Sequence, residues 1–288
     1  MKVLIIGGNG WIGEQFQTFF KKRDIEFIVS DYRINDETDY DELIDSILLN
    51  NVTNVLCLIG RTHGPGKPSI DYLESKDKLF ENMMDNLYAP LKLASICKET
   101  NTHFTYIGTG CIYQGYDIEK TSEDSLPNFT GSSYSVVKGF TDRMLQNEYN
   151  NSALNLRIRL PMDTVEHPRN LITKLVKYKK ICSVPNSVTV LPTMIPIIIS
   201  MMEAKTTGTF NMTNPGTITH DEILGLYKEL KDPEHVWENT SPEEQIQMLQ
   251  NERSNTHLNT SKLESLYPLV WEVKKAVKWC VDGYIAKL

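Results

Sequence analysis

Two hydrophobic rhythms alternate along the first half of the chain. Lys2 to Ile6 is a continuous apolar run, as expected of a strand buried on both faces. From Trp11 to about Lys22 the apolar positions return with helical spacing. The exchange then repeats. Strands are predicted at Ile25 to Ser30, Asn54 to Ile59, His103 to Ile107 and Leu154 to Leu160. Helices are predicted at Asp39 to Asn50, Asp77 to Lys98 and Tyr134 to Glu148. Continuous apolar strands alternating with helices imply an α/β fold, a doubly wound parallel sheet covered on both faces. Such sheets bind ligands at the carboxyl ends of their strands.

After Pro161 the alternation stops. Helices are predicted at Asn170 to Lys180, Thr219 to Leu230, Pro242 to Asn251 and Val273 to Lys287, mixed with prolines and short strands. The reading is therefore a nucleotide-binding domain over 1–160 and a smaller mixed α/β substrate lobe over 161–288. The length of 288 residues suits one large domain or two joined lobes. Net charge is −7 and no basic stripe is visible, which sets nucleic-acid binding aside. No apolar run is long enough to span a bilayer. Five cysteines, Cys57, Cys97, Cys111, Cys182 and Cys280, show no metal-ligand spacing, so no metal is expected. Without an export signal, reduced thiols and a cytoplasmic setting are the expectation.

The first strand runs into "GGNGWIG", which opens the first helix. Gly7, Gly10 and Gly13 form G-x-x-G-x-x-G. Glycines there permit a tight turn and let backbone N–H groups approach a pyrophosphate. The helix N-terminus, with Trp11 and Ile12, adds partial positive charge. This is a Rossmann-type dinucleotide loop, and Gly60 at the end of the third strand joins the expected cofactor contacts. The second strand ends in "SDYR". Asp31 can accept from a ribose hydroxyl, favouring NAD(H); Arg33 can pair with a 2′-phosphate, favouring NADP(H). Either is also a plausible solvated charge, and the two signals conflict.

"YSVVK" sets Tyr134 and Lys138 one turn apart on a helix. A free tyrosine, with a pKa of about 10, exchanges protons poorly near neutrality. A neighbouring ammonium favours its phenolate, so the pair can serve a carbonyl while a nicotinamide moves hydride. Thr109, ending an earlier strand, can donate to the same carbonyl oxygen. Two residues on is Cys111, which in an extended segment points the same way. A thiolate there can take a proton from the carbon beside a ketone. A small buried hydrophobe fits the spacing equally well.

The glycine loop, Thr109, Tyr134 and Lys138 resemble the extended short-chain dehydrogenase/reductase family. That family keeps an asparagine supporting the lysine, and Asn86 holds its place; a helix-surface asparagine is the alternative. Within the family, "GWIG", "TGCIY", "EDSLPNFTGSSYSVVK", "LRIRLP", "HPRNLITK", "VPNSVTVL", "FNMTNPGTITHDEIL" and "ERSNTHL" resemble the bifunctional UDP-4-keto-6-deoxyglucose 3,5-epimerase/4-reductases. "GTGCIY" is also similar to the segment of GDP-fucose synthase whose cysteine is an epimerisation base.

The resemblance implies that Tyr134 and Lys138 are the reductase pair beside Thr109, and that Cys111 and Lys174 are the epimerisation residues. It places Asn170 and Arg253 at the nucleotide-sugar diphosphate. By itself Lys174 reads as a solvated helix lysine. The implied activity is conversion of UDP-4-keto-6-deoxyglucose to UDP-rhamnose with NADP(H), NAD(H) being the second choice, and a homodimer is one assembly the reading allows. The departures are "IGRTHGPGKP", a shorter loop after Tyr113, and "SDYR". They bear on substrate-loop closure and on cofactor preference. Rival readings are a related 4-reductase or 4-epimerase without 3,5-epimerase activity, and a non-catalytic cofactor-sensing subunit. A dehydratase would need an acid pair where Gly110 and Cys111 stand.

Overall fold

The computed structural model describes residues 1–30, 32–35, 40–67, 69–249 and 252–286. The first strands and helices are β1 (Lys2–Ile6), α1 (Trp11–Lys22), β2 (Glu26–Ser30), α2 (Tyr40–Leu49) and β3 (Asn54–Cys57). Then come α3 (Leu79–Met83), α4 (Ala89–Glu99), β4 (His103–Thr109), α5 (Ser133–Tyr149) and β5 (Ala153–Ile158). The remainder holds α6 (Leu171–Lys177), β6 (Lys180–Cys182), α7 (Leu191–Glu203), β7 (Gly208–Asn211) and α8 (His220–Leu230). It ends with β8 (Glu238–Thr240), α9 (Pro242–Met248), α10 (Ser261–Leu266) and α11 (Val273–Asp282). Among the described residues no helix is long and apolar enough to cross a membrane.

The main sheet has the order β2-β1-β3-β4-β5-β7. The pairs β1–β2, β1–β3 and β3–β4 are parallel. Their register places Ser30, Ile6, Cys57 and Tyr106 in one row. Whatever follows these strands therefore issues from one edge of the sheet: Arg33, the glycine loop, Gly60 and Thr109. The strand order reverses between β1 and β3, where doubly wound sheets bind ligands. Val3 to Ile6 are at most 2% exposed, as the continuous apolar run requires.

Packing divides the chain into two units. One holds Met1–Thr109, Ser133–Leu156 and Ile195–Phe210; the other holds Gly110–Ser132, Arg157–Met194 and Asn211–Leu288. The single boundary expected at 160 does not describe this, because the chain crosses between units five times, after Thr109, Ser132, Leu156, Met194 and Phe210. The first core gathers Leu4, Ile6, Val55, Leu93, Phe104 and Leu145. The second gathers Met162, Ile172, Leu175, Val188, Leu224 and Val277.

Three elements differ from the sequence reading for physical reasons. The long helix expected over 77–98 is interrupted by a π-turn, Met84–Tyr88, which carries Asn86; such turns recur at functional sites. The strand expected to reach Leu160 ends at Ile158, and Leu160 has a φ of 41°. Helix α7 has no counterpart in the sequence reading. Its Met194, Ile195, Ile198, Ile199, Met201 and Met202 are buried, but Pro192, Pro196 and Ile197 on the half-buried face are apolar too, so no polar face marks the helical period, and the two prolines argue against a helix.

Candidate active site

In the first unit, β1 ends in a turn that only glycines fit. Gly7 has a φ of 80°, and a Cβ there would lie 3.1 Å from the Leu58 carbonyl carbon. A Cβ on Gly13 would lie 2.6 Å from the carbonyl carbon of Gly8. Helix α1 therefore rests directly on the loop backbone. Gly10 caps α1 without a side-chain acceptor. Trp11 is buried and Ile12 half-buried in the first turn. Arg33 is exposed, three residues past the end of β2. Asp31 lies outside the described residues.

Tyr134 and Lys138 belong to the buried stripe of α5, with Thr141 and Leu145 at the same helical spacing. A carboxylate fixes the start of that helix: Glu74 accepts from the backbone N–H of Ser133 at 3.0 Å and of Tyr134 at 3.1 Å. It satisfies two donors a helix cannot pair internally, and its charge suits the dipole. Lys138 donates to the Tyr106 hydroxyl and stands 4.6 Å from the centre of that ring. Tyr106 is held well above the ordinary tyrosine range by burial first, then by Cys57, Tyr134 and Asp142, so its hydroxyl stays neutral. Asn86 clamps the next loop: its Oδ1 accepts from the Arg61 N–H and its Nδ2 donates to the Arg61 carbonyl, both at 3.0 Å. A Cβ on Gly60 would lie 3.8 Å from both Asn86 Oδ1 and Lys138 Nζ. The exposed Gly60 thus leaves room beside the lysine. Thr109 is the last residue of β4.

Cys111 lies at the start of the second unit, after Gly110. It does not continue the strand: Gly110 is a bend, Cys111 and Ile112 form a turn, and the Tyr113 N–H reaches back to the Gly110 carbonyl at 3.3 Å. The i, i+2 argument for a shared direction with Thr109 therefore does not apply, because it needs extended backbone. Instead the half-buried Cys111 accepts a hydrogen bond from Arg159 Nη1 at 3.2 Å. The Arg159 guanidinium is anchored on Asn186 Oδ1 at 2.5 Å and Ser254 Oγ at 2.9 Å.

Lys174 is half-buried on α6. Burial, and then the charges of Arg169 and Arg253, push its ammonium below the ordinary lysine range. Lys174 thus lies within the electrostatic reach of the Arg169 and Arg253 charges. Asn170 is different. It is fully buried and caps α6, its Oδ1 accepting from Ile172 N at 3.1 Å and Asp163 N at 3.3 Å. Its Nδ2 donates to the carbonyls of Asp163 at 2.7 Å and Val165 at 2.9 Å. Both acceptor positions and both donors are used within the chain. In the structure these bonds set the start of the lysine's helix.

Residues 3–177 match the NAD dependent epimerase/dehydratase family, more than half of the chain. The chain belongs to that family. Within it, the protein is 34% identical over 281 residues to the bifunctional dTDP-4-dehydrorhamnose 3,5-epimerase/dTDP-4-dehydrorhamnose reductase of Arabidopsis thaliana, covering 95% of this chain and 90% of that one. It is 47% identical over 287 residues to protein L780 of Acanthamoeba polyphaga mimivirus, covering 98% of each. The crystal structure of the L780 UDP-rhamnose synthase from that virus superposes with a TM-score of 0.93 at 46% identity, covering 98% of this chain and 99% of that one.

As a member of the NAD dependent epimerase/dehydratase family, the chain binds a nicotinamide dinucleotide, and the first unit fits one. The glycine turn lies at the strand-order reversal, Gly10 places no side chain over the start of α1, and Gly60 leaves the approach to Lys138 open. Sequence reasoning passed over Tyr106, Glu74 and Arg159. Tyr106 and Glu74 read as a strand aromatic and a loop carboxylate. Their partners lie 32 and 60 residues away, and no local spacing marks such pairs.

Proposed function

We propose that this chain converts UDP-4-keto-6-deoxyglucose to UDP-rhamnose, by 3,5-epimerisation followed by NADPH-dependent reduction at carbon 4. The observation that carries the reading is a set of proton-transfer groups in the second unit, additional to the Tyr134–Lys138 pair of the first: Cys111 hydrogen-bonded by a buried arginine, and Lys174 with its weakened hold on a proton. A plain reductase needs neither. The similarity to the mimivirus L780 UDP-rhamnose synthase over nearly the full length supports the substrate. The exposed Arg33 beyond β2 supports a 2′-phosphate and hence NADPH over NADH. Five free thiols support a cytoplasmic setting.

The ketone at carbon 4 acidifies the hydrogens on carbons 3 and 5. Cys111 removes such a proton from one face and Lys174 returns one from the other, which inverts the carbon. Thr109 donates to the ketone oxygen and steadies the charge that collects there. When bound, NADPH supplies hydride to carbon 4. Tyr134 gives the ketone oxygen its proton, and Lys138, oriented by the neutral Tyr106 hydroxyl, keeps positive charge beside it.

The test incubates the protein with UDP- and dTDP-4-keto-6-deoxyglucose plus NADPH and identifies the products by NMR. UDP-rhamnose is the expected product. In heavy water without reductant, deuterium should enter carbons 3 and 5, and Cys111→Ser should largely lose that exchange. NADPH oxidation with no deuterium at either carbon would reduce the protein to a 4-ketoreductase.

A further inference from the structure

Three sequence stretches outside the reductase machinery converge on one buried cation. Arg159 comes from "LRIRLP", Asn186 from "VPNSVTVL" and Ser254 from "ERSNTHL". Arg159 is 2% exposed. Its Nη2 donates to Asn186 Oδ1 and to the Ser254 carbonyl, both at 2.5 Å, and its Nη1 donates to Ser254 Oγ at 2.9 Å and Cys111 Sγ at 3.2 Å. Ser254 Oγ donates its own hydrogen bond to the Tyr113 carbonyl at 2.5 Å, and Asn186 Oδ1 also accepts from Thr256 N at 3.1 Å. The anchors are thus themselves anchored, and the guanidinium has a fixed direction.

Every acceptor in that set other than the sulfur is a neutral oxygen. No carboxylate faces this arginine among the described residues. The ionisable groups that do face it are the Cys111 thiol, the Tyr116 phenol and the His220 imidazole. Tyr116 is 48% exposed, and burial raises its proton affinity against the pull of Arg159, so it is neutral near pH 7. Burial first, with the charge of Arg159 adding, pushes His220 below the ordinary histidine range, so it brings no second positive charge. A buried cation without a counter-ion is unfavourable. Among the described residues, the sulfur is the one ionisable atom to which this guanidinium donates a hydrogen bond.

We propose that Arg159 is the counter-ion of a Cys111 thiolate, a positioning residue that holds the sulfur ready to take a proton from the sugar. In that step the C–H bond beside the ketone breaks, its electron pair passes into the enolate at the carbon 4 oxygen, and the proton goes to sulfur. Arg159 then faces a neutral thiol, and its charge favours return of the proton to carbon in the reverse direction. The inference rests on the reading of Cys111 as an epimerisation residue. It adds that the sulfur's reactivity is set 48 residues away in the chain, by a residue that need not touch the sugar.

Iodoacetamide alkylation of the whole enzyme, followed against pH with peptide mapping, tests it without sugar or cofactor. The other four cysteines are buried, so the fast reaction reports Cys111. Arg159→Gln should slow alkylation at pH 7 by about 10–100-fold, the weight of one hydrogen bond to a charged group, and move the rising limb to higher pH. Arg159→Lys, which keeps the charge, should recover part of the rate. Asn186→Asp leaves the arginine in place but gives it a competing carboxylate, and should slow alkylation about as much. If Arg159→Gln does not fold, Asn186→Asp decides. Deuterium exchange at carbons 3 and 5 should fall in step with alkylation. Unchanged alkylation profiles in the folded variants would overturn the proposal and leave Arg159 as packing. Exchange that survives in Cys111→Ser would instead overturn the role of Cys111, while the alkylation profiles still report on the arginine–sulfur pair.

Discussion

Asn170 separates two accounts of one residue. As a ligand for the diphosphate, its loss should weaken substrate binding and leave the fold alone. As the cap of α6, its loss should weaken the fold. Asn170→Ala removes four hydrogen bonds in a site with no exposure to solvent. Loss of the helix cap costs about 1 kcal/mol, and each abandoned buried carbonyl about 1–3 kcal/mol. Together these come to about 3–7 kcal/mol, a large part of the roughly 5–15 kcal/mol that holds a typical fold. At about 2 °C per kcal/mol for a chain of this size, melting should fall by roughly 6–14 °C. Asn170→Asp keeps the acceptor but turns an oxygen toward two carbonyl oxygens, where Nδ2 now donates at 2.7 and 2.9 Å, so it should be no milder. The Lys174 N–H bonds to the Asn170 carbonyl at 3.1 Å, so a loosened cap also loosens the lysine. Calorimetric melting and UDP titration of the same variant decide. A melting point within 1 °C of the native protein, with UDP affinity down tenfold, would refute the structural account and restore Asn170 to the ligand.

The other predictions concern chemistry. Tyr134→Phe should lower NADPH oxidation with the keto-sugar by about 10²–10⁴-fold, as loss of a general acid does, with dinucleotide binding retained; near-native turnover would remove Tyr134 from the proton path. Lys174 is depressed in the folded state by burial, Arg169 and Arg253, so the unfolded chain holds its proton more tightly. The cost of the charged lysine is therefore fully present below the folded value and is relieved as pH rises through it toward about 10.4. In Arg169→Gln the depression lessens, and because Lys174 must be protonated to return a proton, the falling limb of deuterium exchange at saturating sugar should move to higher pH; an unmoved limb would mean that another group titrates. Arg33→Ala should raise KM for NADPH more than for NADH in steady-state assays, and equal changes would take Arg33 away from the 2′-phosphate.

What the sequence by itself determined was local. The apolar run of β1, the helical spacing of α1 and the glycines between them specify a dinucleotide turn, because backbone sterics and side-chain period act over a few residues. Tyr134 and Lys138 share a face of α5 for the same reason, and the fold class follows from the alternation. Helix α7 escaped because Pro192, Pro196 and Ile197 on its less buried face are apolar too, so the hydrophobic pattern shows no helical period. The partnerships that finish the site were decided only by the tertiary structure. Lys138 meets Tyr106 across 32 residues, Glu74 caps α5 across 60, and Arg159 reaches Cys111 across 48 and Ser254 across 95. Asn170 shows the same division from the other side. Its residue type and place suit a phosphate ligand, but once the chain folds, the backbone of residues 163–165 and 172 takes every hydrogen bond it can make. A sequence lists which groups are present; a buried polar group's role depends on which partner satisfies it, and that is a property of long-range packing.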